Sequence, residues 1–395
     1  MKLKDALLIQ HLLSDFEFAD IDKWERQVLK DLGLESIEQL TQIQLADGII
    51  QSPYSDITSN PGNHFQHSYR YCITHSGENW QGARYWLNME RFEGFGPAKL
   101  NQLSLAALTG GADGIILEAN GVKHWEQLLE GISLSDCYLG VEGTLPDIQK
   151  LVEFLVSLKS NHQGFFIING LLRHLENVTP DLLELLNGNH GFRTLILQEL
   201  TAEPGTLDEI ALLLSQGIFT INTLLESDIP MSTILRNIQI NLFPGDSYLW
   251  EICRLKCLRI LFHQVVQQYG TTNYLPGSLT IQATTNGFQG QKKNQNQQLL
   301  CNTTQTMAAV LGGCNIVTIV PHQDGFSSDD QWSRRIARNI SHILKEECNL
   351  HKMADPVAGS YYLEDLTDNM LKEVWSRLRQ MESSGGYLRH RGSQI

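Results

Sequence analysis

The chain has 395 residues, 42% of them hydrophobic, enough for one large barrel or two modest domains around a substantial core. Its 44 acidic residues against 30 basic ones leave a formal charge of −14 and no basic stripe, which argues against a nucleic-acid partner. No run of about 18 or more apolar residues occurs, so no membrane span is predicted.

The N-terminus, MKLKDALLIQHLLSDFEF, carries acids soon after a short apolar stretch and lacks the small-residue cleavage site of a signal peptide. Residues 1–66 read as a helix followed by extended chain, an arm rather than a core element. Asp22 to Leu29 has helical periodicity, and Pro53 and Asn60-Pro61-Gly62-Asn63 mark turns. From residue 67 onward, short β-rich runs alternate with longer amphipathic stretches. The strand candidates are Ser68–Thr74, Gly114–Glu118, Cys137–Val141, Phe165–Asn169, Thr194–Gln198, Asn237–Leu242, Leu279–Ala283 and Ile316–Val320. Most are continuous apolar runs, as expected of parallel strands covered on both faces.

Between them lie helices. Tyr248, Ile252, Leu255, Leu258, Phe262 and Val265 form one apolar stripe; Trp332, Ile336, Ile340 and Ile343 form a second; Met370, Leu371, Val374, Trp375 and Leu378 form a third. Ser327-Ser328-Asp329-Asp330 supplies an N-cap for the second. Gly110-Gly111 and Gly312-Gly313 follow helical runs and read as C-caps that need positive φ. Eight strand-and-helix units over residues 67–395 predict a (β/α)8 TIM barrel behind an N-terminal helical and extended arm. A doubly wound open sheet is the alternative.

Generic catalytic signatures are absent: no phosphate loop, no H-E-x-x-H, no G-x-S-x-G. The seven cysteines are scattered, none in a CxxC pair, and read as buried free thiols in a reducing cytoplasm. His64 and His67 sit in a loop without a neighbouring carboxylate, so no metal site is expected. In a barrel the working groups stand at the C-terminal ends of the strands. The barrel-mouth candidates are therefore Glu118, Glu142, Asn169, Gln198, Glu199, Asn241, Gln282, Thr284, Thr318 and His322, with His75 after the first strand candidate. Glu118 and Glu142 end adjacent strands and can face one another, as an acid–base pair or, more plainly, as a structural one.

Four ordered motifs occupy about residues 246–372. Asp355-Pro356-Val357-Ala358-Gly359-Ser360-Tyr361-Tyr362-Leu363-Glu364 resembles the DPxGGSYYVE signature of the methylmalonyl-CoA mutase family. Arg335-Ile336-Ala337-Arg338-Asn339 followed by Ile343-Leu344-Lys345-Glu346-Glu347 resembles its RIARN…ILQEE helix, and Met307 to Gly313 its MAAVLGG segment. Glu251 to Leu261 is similar to its E-x-A-K-L-R-A-x-R-L-L helix, and Trp24-Glu25 with Lys30-Asp31-Leu32 weakly resembles its opening helix.

The resemblance implies an adenosylcobalamin-dependent isomerase scaffold, a barrel that holds acyl-CoA along its axis beside a separate cobalamin domain with a D-x-H-x-x-G histidine. No D-x-H-x-x-G occurs in these residues. The family's Tyr-His pair after the fifth strand aligns with Glu199 and Leu200, and its Arg-Thr-His in the seventh strand with Thr280-Ile281-Gln282. Its Q-S-L-H-T-N after the eighth strand gives way to Asn315 to Val320, which ends on apolar Ile319 and Val320. Leucine cannot donate a hydrogen bond to a thioester oxygen, so no catalytic residue is expected here. The resemblance thus implies a non-catalytic small subunit of a methylmalonyl-CoA mutase. Its partner would be a large catalytic subunit that binds the acyl-CoA and most of the adenosylcobalamin, and the arm would be an interface element. Two alternatives stand beside it: the catalytic barrel of a split acyl-CoA mutase served by a separate cobalamin-binding protein, and a free-standing binding or regulatory barrel.

Overall fold

The structure is a computed structural model and describes residues 21–37, 43–52, 55, 85–119, 122, 124–158, 162–188, 191–198, 205–285, 294–322 and 325–390. The chain divides into two compact units, Met1–Asp56 and Ile57–Ile395.

In the first unit, helix α1 (Ile21–Leu32) carries an acid in its first turn and a lysine in its last, both favourable to the helix dipole. Trp24 and Leu32 on this helix are 47% and 59% exposed. Ile43–Gln44 and Ile50–Gln51 pair antiparallel around a turn in which Asp47 and Gly48 adopt positive φ.

The second unit is a barrel of parallel strands: β1 (Leu87–Arg91), β2 (Gly114–Glu118), β3 (Tyr138–Gly143), β4 (Gln163–Ile168), β5 (Phe192–Arg193 with Leu195–Gln198), β6 (Ile238–Leu242), β7 (Thr280–Thr284) and β8 (Ile316–Thr318). Each strand pairs with its chain neighbour, and β8 returns to β1 with Ile316 opposite Leu87, which closes the ring. β5 spans one interruption: Phe192–Arg193 pairs with β4, Leu195–Gln198 pairs with β6, and Thr194 lies between. The Thr194 hydroxyl instead donates to Asn237 Oδ1 at 3.0 Å.

The expected (β/α)8 fold is therefore present, with one change in its inventory. The Ser68–Thr74 strand candidate lies outside the described residues, as does His75. The strand that opens the barrel is Leu87–Arg91. It escapes a search for apolar runs because its helix-facing positions are polar and fully engaged. Asn88 Nδ2 donates to Arg338 O at 3.2 Å, and Glu90 accepts from Arg334 Nη1 at 3.1 Å and from Arg338 Nη1.

The helices follow the strands in the order expected of β/α units: α2 (Pro97–Thr109), α3 (Trp125–Leu128), α4 (Leu145–Ser157), α5 (Leu171–Glu176), α6 (Pro180–Asn187), α7 (Leu207–Glu226), α8 (Met231–Asn237), α9 (Tyr248–Gln267), α10 (Gln295–Gly312) and α11 (Gln331–His342). The last helices are α12 (Tyr361–Ser383) and α13 (Gly386–His390). Their starts are written in side chains that satisfy free backbone amides: Thr144, Thr179, Thr206 and Ser360 each accept from an N–H three residues on, and Asn294 forms a capping box with Gln297. Asp330 caps α11 by accepting from Trp332 N and Ser333 N, within the predicted cap segment. Gly111 and Gly313 terminate α2 and α10 at φ 92° and 95°. α12 packs across α7 and α9, so those two helices are enclosed and buried on nearly every side. No helix among the described residues is long and apolar enough to cross a membrane.

Candidate functional site: the barrel axis and mouth

Alternation along each strand sends Met89, Ile116, Phe165, Ile196 and Ile316 inward, where the five meet in one cluster at 6% exposure or less. They come from β1, β2, β4, β5 and β8, so the cluster spans the barrel interior. On β3 the matching inward position is Gly140. A Cβ there would lie 2.7 Å from Phe165 Cζ and 2.9 Å from Ile116 Cγ1. The missing side chain of Gly140 is the space that the Phe165 ring occupies, inside the buried cluster.

The opposite wall is polar. Gln239 Nε2 donates to Asn241 Oδ1 at 2.8 Å and to Gln282 Oε1 at 3.1 Å, and Gln282 Nε2 donates to Thr318 Oγ1 at 3.3 Å. All four residues are buried. These bonds tie the amides into one network that uses the Gln239 donor twice, while Gln239 Oε1 stays buried without a partner. At the lower end Arg193 Nη1 donates to Tyr138 Oη at 3.0 Å. Burial raises the Tyr138 phenol, and the Arg193 charge opposes it, so the hydroxyl stays protonated as an acceptor of that bond.

At the mouth, Arg91 at the end of β1 reaches Glu142 at the end of β3 and also binds Glu93. Its guanidinium lies 5.5 Å from the centroid of the Phe326 ring. Glu118 accepts from Gly94 N at 3.2 Å. Glu118 and Glu142 are register partners, as their strand positions imply, yet each is engaged by a different group. The two carboxylates are held separately, Glu118 by Gly94 N and Glu142 by Arg91. Arg334 joins the mouth loops after β1 and β8: it donates to Ser328 O at 2.6 Å, Phe326 O at 2.7 Å and Arg91 O at 3.1 Å, with its charge over the Phe92 ring.

The remaining predicted positions separate. Asn241, Gln282 and Thr318 belong to the buried wall rather than to the mouth. Gln198 stands opposite Asn241, and Thr284 opposite Thr318. Asn169 is exposed beyond β4. His322 turns away into a groove between α10 and α11, its Nδ1 2.7 Å from Ser333 Oγ. Glu199 and Leu200 lie outside the described residues. Sequence reasoning passed over Arg91 and Gln239; an inward-facing charge or amide on an otherwise apolar parallel strand is the signal that points to both. No cluster of metal-ligating side chains forms among the described residues.

The C-terminal motifs hold the scaffold together. Asp355 accepts from Lys256 Nζ at 3.0 Å, Gly359 turns at φ 87° and Ser360 caps α12, while Val357 packs on Ile252, Ala308 and Leu311. Arg254 donates to Glu251 at 2.8 Å, to Glu209 at 3.0 Å and to Phe243 O at 3.1 Å. Desolvation raises the Glu209 carboxyl in this cluster, and the Arg254 charge opposes the rise. Arg259, fully buried, donates to the carbonyls of Pro276, Leu279 and Gly313 and to Asn315 Oδ1, all within 2.6–2.9 Å. It ties the lower ends of β7 and β8 to α9.

The profile of the methylmalonyl-CoA mutase family matches residues 198–391. The methylmalonyl-CoA mutase small subunit of Porphyromonas gingivalis is 33% identical over 181 residues, 45% of this chain and 29% of that protein. The protein of the same name from Streptomyces virginiae is 22% identical over 405 residues, 95% of this chain and 65% of that protein. The methylmalonyl-CoA mutase of Escherichia coli is 25% identical over 180 residues, 46% of this chain and 25% of that protein. In each case the matched span covers less than two thirds of the relative.

Proposed function

The chain, through residues 198–391, belongs to the methylmalonyl-CoA mutase family, and from that premise we propose that it is the small, non-catalytic subunit of a heterodimeric mutase. Its partner is a large subunit that binds acyl-CoA and adenosylcobalamin and carries out the isomerisation of methylmalonyl-CoA and succinyl-CoA. The barrel described here is a folded support for that chain, and residues 1–66 contribute to the contact between them.

One observation carries the reading: Phe165, seated over Gly140, packs with Met89, Ile116, Ile196 and Ile316 in one buried cluster inside the barrel, where a mutase barrel would hold the pantetheine arm. A packed axis is the ordinary state of a (β/α)8 barrel, so the chain has the default interior and not an opened one. Electrostatics at the mouth agree. Among the described residues there, the carboxylates of Glu93, Glu118 and Glu142 face the guanidiniums of Arg91 and Arg334, both already engaged, so no free cation meets the phosphates of CoA. Transition-state stabilisation needs oriented donors in a dry pocket; here the Nε2 groups of Gln239 and Gln282 are spent within the wall, and the buried group left without a partner, Gln239 Oε1, is an acceptor that cannot donate to a thioester oxygen.

The described residues offer the coenzyme no evident ligand either. The D-x-H-x-x-G histidine is absent from the 395 residues. At the mouth Arg91 is held by two carboxylates, and His322 faces the α10–α11 groove. No step is therefore assigned to cobalamin in this chain.

The test is reconstitution. The chain alone, the large subunit alone and the mixture are assayed with methylmalonyl-CoA and adenosylcobalamin. The proposal expects stable association and no turnover by the isolated chain. Turnover by the isolated chain, or no association with a mutase chain that bears D-x-H-x-x-G, would remove it.

A further inference from the structure

The strand that closes the ring is held from outside by α11. Alternate residues along β1 and its lead-in reach that helix: Trp86 Nε1 donates to Ser341 Oγ at 2.9 Å, Asn88 Nδ2 donates to Arg338 O at 3.2 Å, and Glu90 accepts from Arg334 and Arg338. β1 is also the strand whose pairing with β8 completes the barrel, so α11 clasps the closing seam. The foot of the clasp rests on the end of α2. A Cβ at Gly110 would lie 2.5 Å from Arg338 Nη2, and a Cβ at Gly111 would lie 3.0 Å from His342 Cε1 and 3.1 Å from His342 Nε2. The two glycines therefore do more than end α2; they let side chains of α11 lie against bare backbone.

His342 Nε2 is buried at this contact with no hydrogen-bond partner among the described residues. Cations flank the ring. Arg338 stands one turn before it, and Lys345 follows in the π-turn, where its Nζ donates to Asp113 Oδ2 at 3.1 Å and lies 3.9 Å from the centroid of the Tyr85 ring. Asp113 also accepts from Tyr85 Oη at 2.7 Å and from Asn88 N at 2.8 Å, and Glu346 is exposed to solvent. A proton on His342 thus adds a third positive charge beside Arg338 and Lys345 and a buried N–H without an acceptor. Burial holds the imidazole below its usual 6.5; the Lys345 charge adds to that effect and the Asp113 charge opposes it.

We propose that His342 is an acid-sensitive release for this clasp: its protonation drives the foot of α11 off the end of α2 and frees β1, so that the barrel opens at the β1–β8 seam while the other strands stay paired. Above pH 6.5 the ring is neutral in the closed and the open form alike. As pH falls, the open form takes up the proton that the closed form resists, and the opening equilibrium rises. Opening exposes Met89 and Ile316 of the interior cluster. The release belongs to this chain alone and does not depend on a partner.

Hydrogen exchange of the full-length chain, read by mass spectrometry at about pH 7.5 and about pH 5 and corrected for the intrinsic rate, is the test. The expected result is a loss of protection of about tenfold or more at the acid pH in residues 86–91, 316–318 and 338–345, with residues 238–242 of β6 and 280–284 of β7 unchanged. His342→Gln and His342→Asn should keep the neutral-pH protection of all these segments at both pH values. Acid loss that persists in both variants overturns the proposal, as does a loss spread evenly over all the strands. Loss of seam protection already at about pH 7.5 in both variants makes His342 a packing residue and overturns it too.

Discussion

The packing of Phe165 over Gly140 yields a prediction whose sign reverses with background. In the wild-type chain, Gly140→Ala introduces a methyl 2.7 Å from Phe165 Cζ and 2.9 Å from Ile116 Cγ1, well inside contact distance. Phe165 and Ile116 are fully buried and have no solvent to move into. Overpacking of this kind costs about 1–3 kcal/mol. Phe165→Ala removes the ring instead and costs about 3–5 kcal/mol through lost transfer energy and the cavity left behind. In that second background the methyl introduced by Gly140→Ala enters vacated space. The added cost vanishes, and the lower entropy of the unfolded chain with alanine in place of glycine contributes about 0.4–1 kcal/mol of stabilisation. The coupling between the two sites is therefore about 2 kcal/mol, read from urea unfolding midpoints of the four proteins in a double-mutant cycle. Phe165→Ala should also bind benzene and gain stability from it, as an apolar cavity does. If Gly140→Ala is equally costly with and without the ring, Phe165 does not occupy the space over Gly140 and the interior packing described here is wrong.

Other contacts give independent checks. Arg259→Met removes the donor to Leu279 O and Gly313 O, while Asn315 Oδ1 keeps Ile281 N and Pro276 O keeps Leu279 N; at about 1–3 kcal/mol for each buried acceptor left unsatisfied a drop of several degrees in the thermal midpoint is expected, with little rescue by Arg259→Lys because ammonium lacks the planar fork. Lys256→Met should cost about 3–5 kcal/mol by leaving the buried Asp355 carboxylate unpaired, while Lys256→Met with Asp355→Leu recovers most of it; equal instability of single and double variants would refute the ion pair as the anchor of the Asp355–Ser360 turn.

His342 supplies a pH test. Burial holds its imidazole below the usual 6.5, and Nε2 is buried without a hydrogen-bond partner. Above pH 6.5 the ring is neutral in both states and costs nothing. As pH falls below 6.5 the unfolded chain takes up a proton that the folded ring resists, so stability is lost until the lower folded pKa is passed. His342→Gln should flatten that acid slope in urea midpoints measured from about pH 7.5 to about pH 5, and an unchanged slope would refute the assignment.

Much of the fold was legible because parallel strands sealed between helices and an interior are written as apolar runs. Gly114–Glu118 coincides with β2, and six further strands fall within a few residues of their expected places. β1 was illegible for the same reason in reverse. Asn88, Glu90 and Arg91 look like loop residues until Arg334 and Arg338 of α11, more than 240 positions away, are brought against them. The turn of π-helix at Ile343–Glu347 that follows α11 was equally hidden: it serves to seat Lys345 on Asp113 and over the Tyr85 ring, long-range partners that local periodicity cannot report. At the site, strand-end logic found Glu118, Glu142 and the Asn241–Gln282–Thr318 wall. It assigned them all to the mouth because position along a strand does not say how deep a barrel is filled. Gly140 was the readable clue, a glycine inside a strand where another side chain comes close.

The central claim is that this barrel has no room or grip for a thioester. Calorimetric titration of methylmalonyl-CoA and succinyl-CoA into the purified chain tests it most directly. The account predicts no saturable heat up to about 1 mM, the upper end of ordinary enzyme–substrate KM values. Saturable binding in the micromolar range, abolished by CoA as competitor, would contradict it.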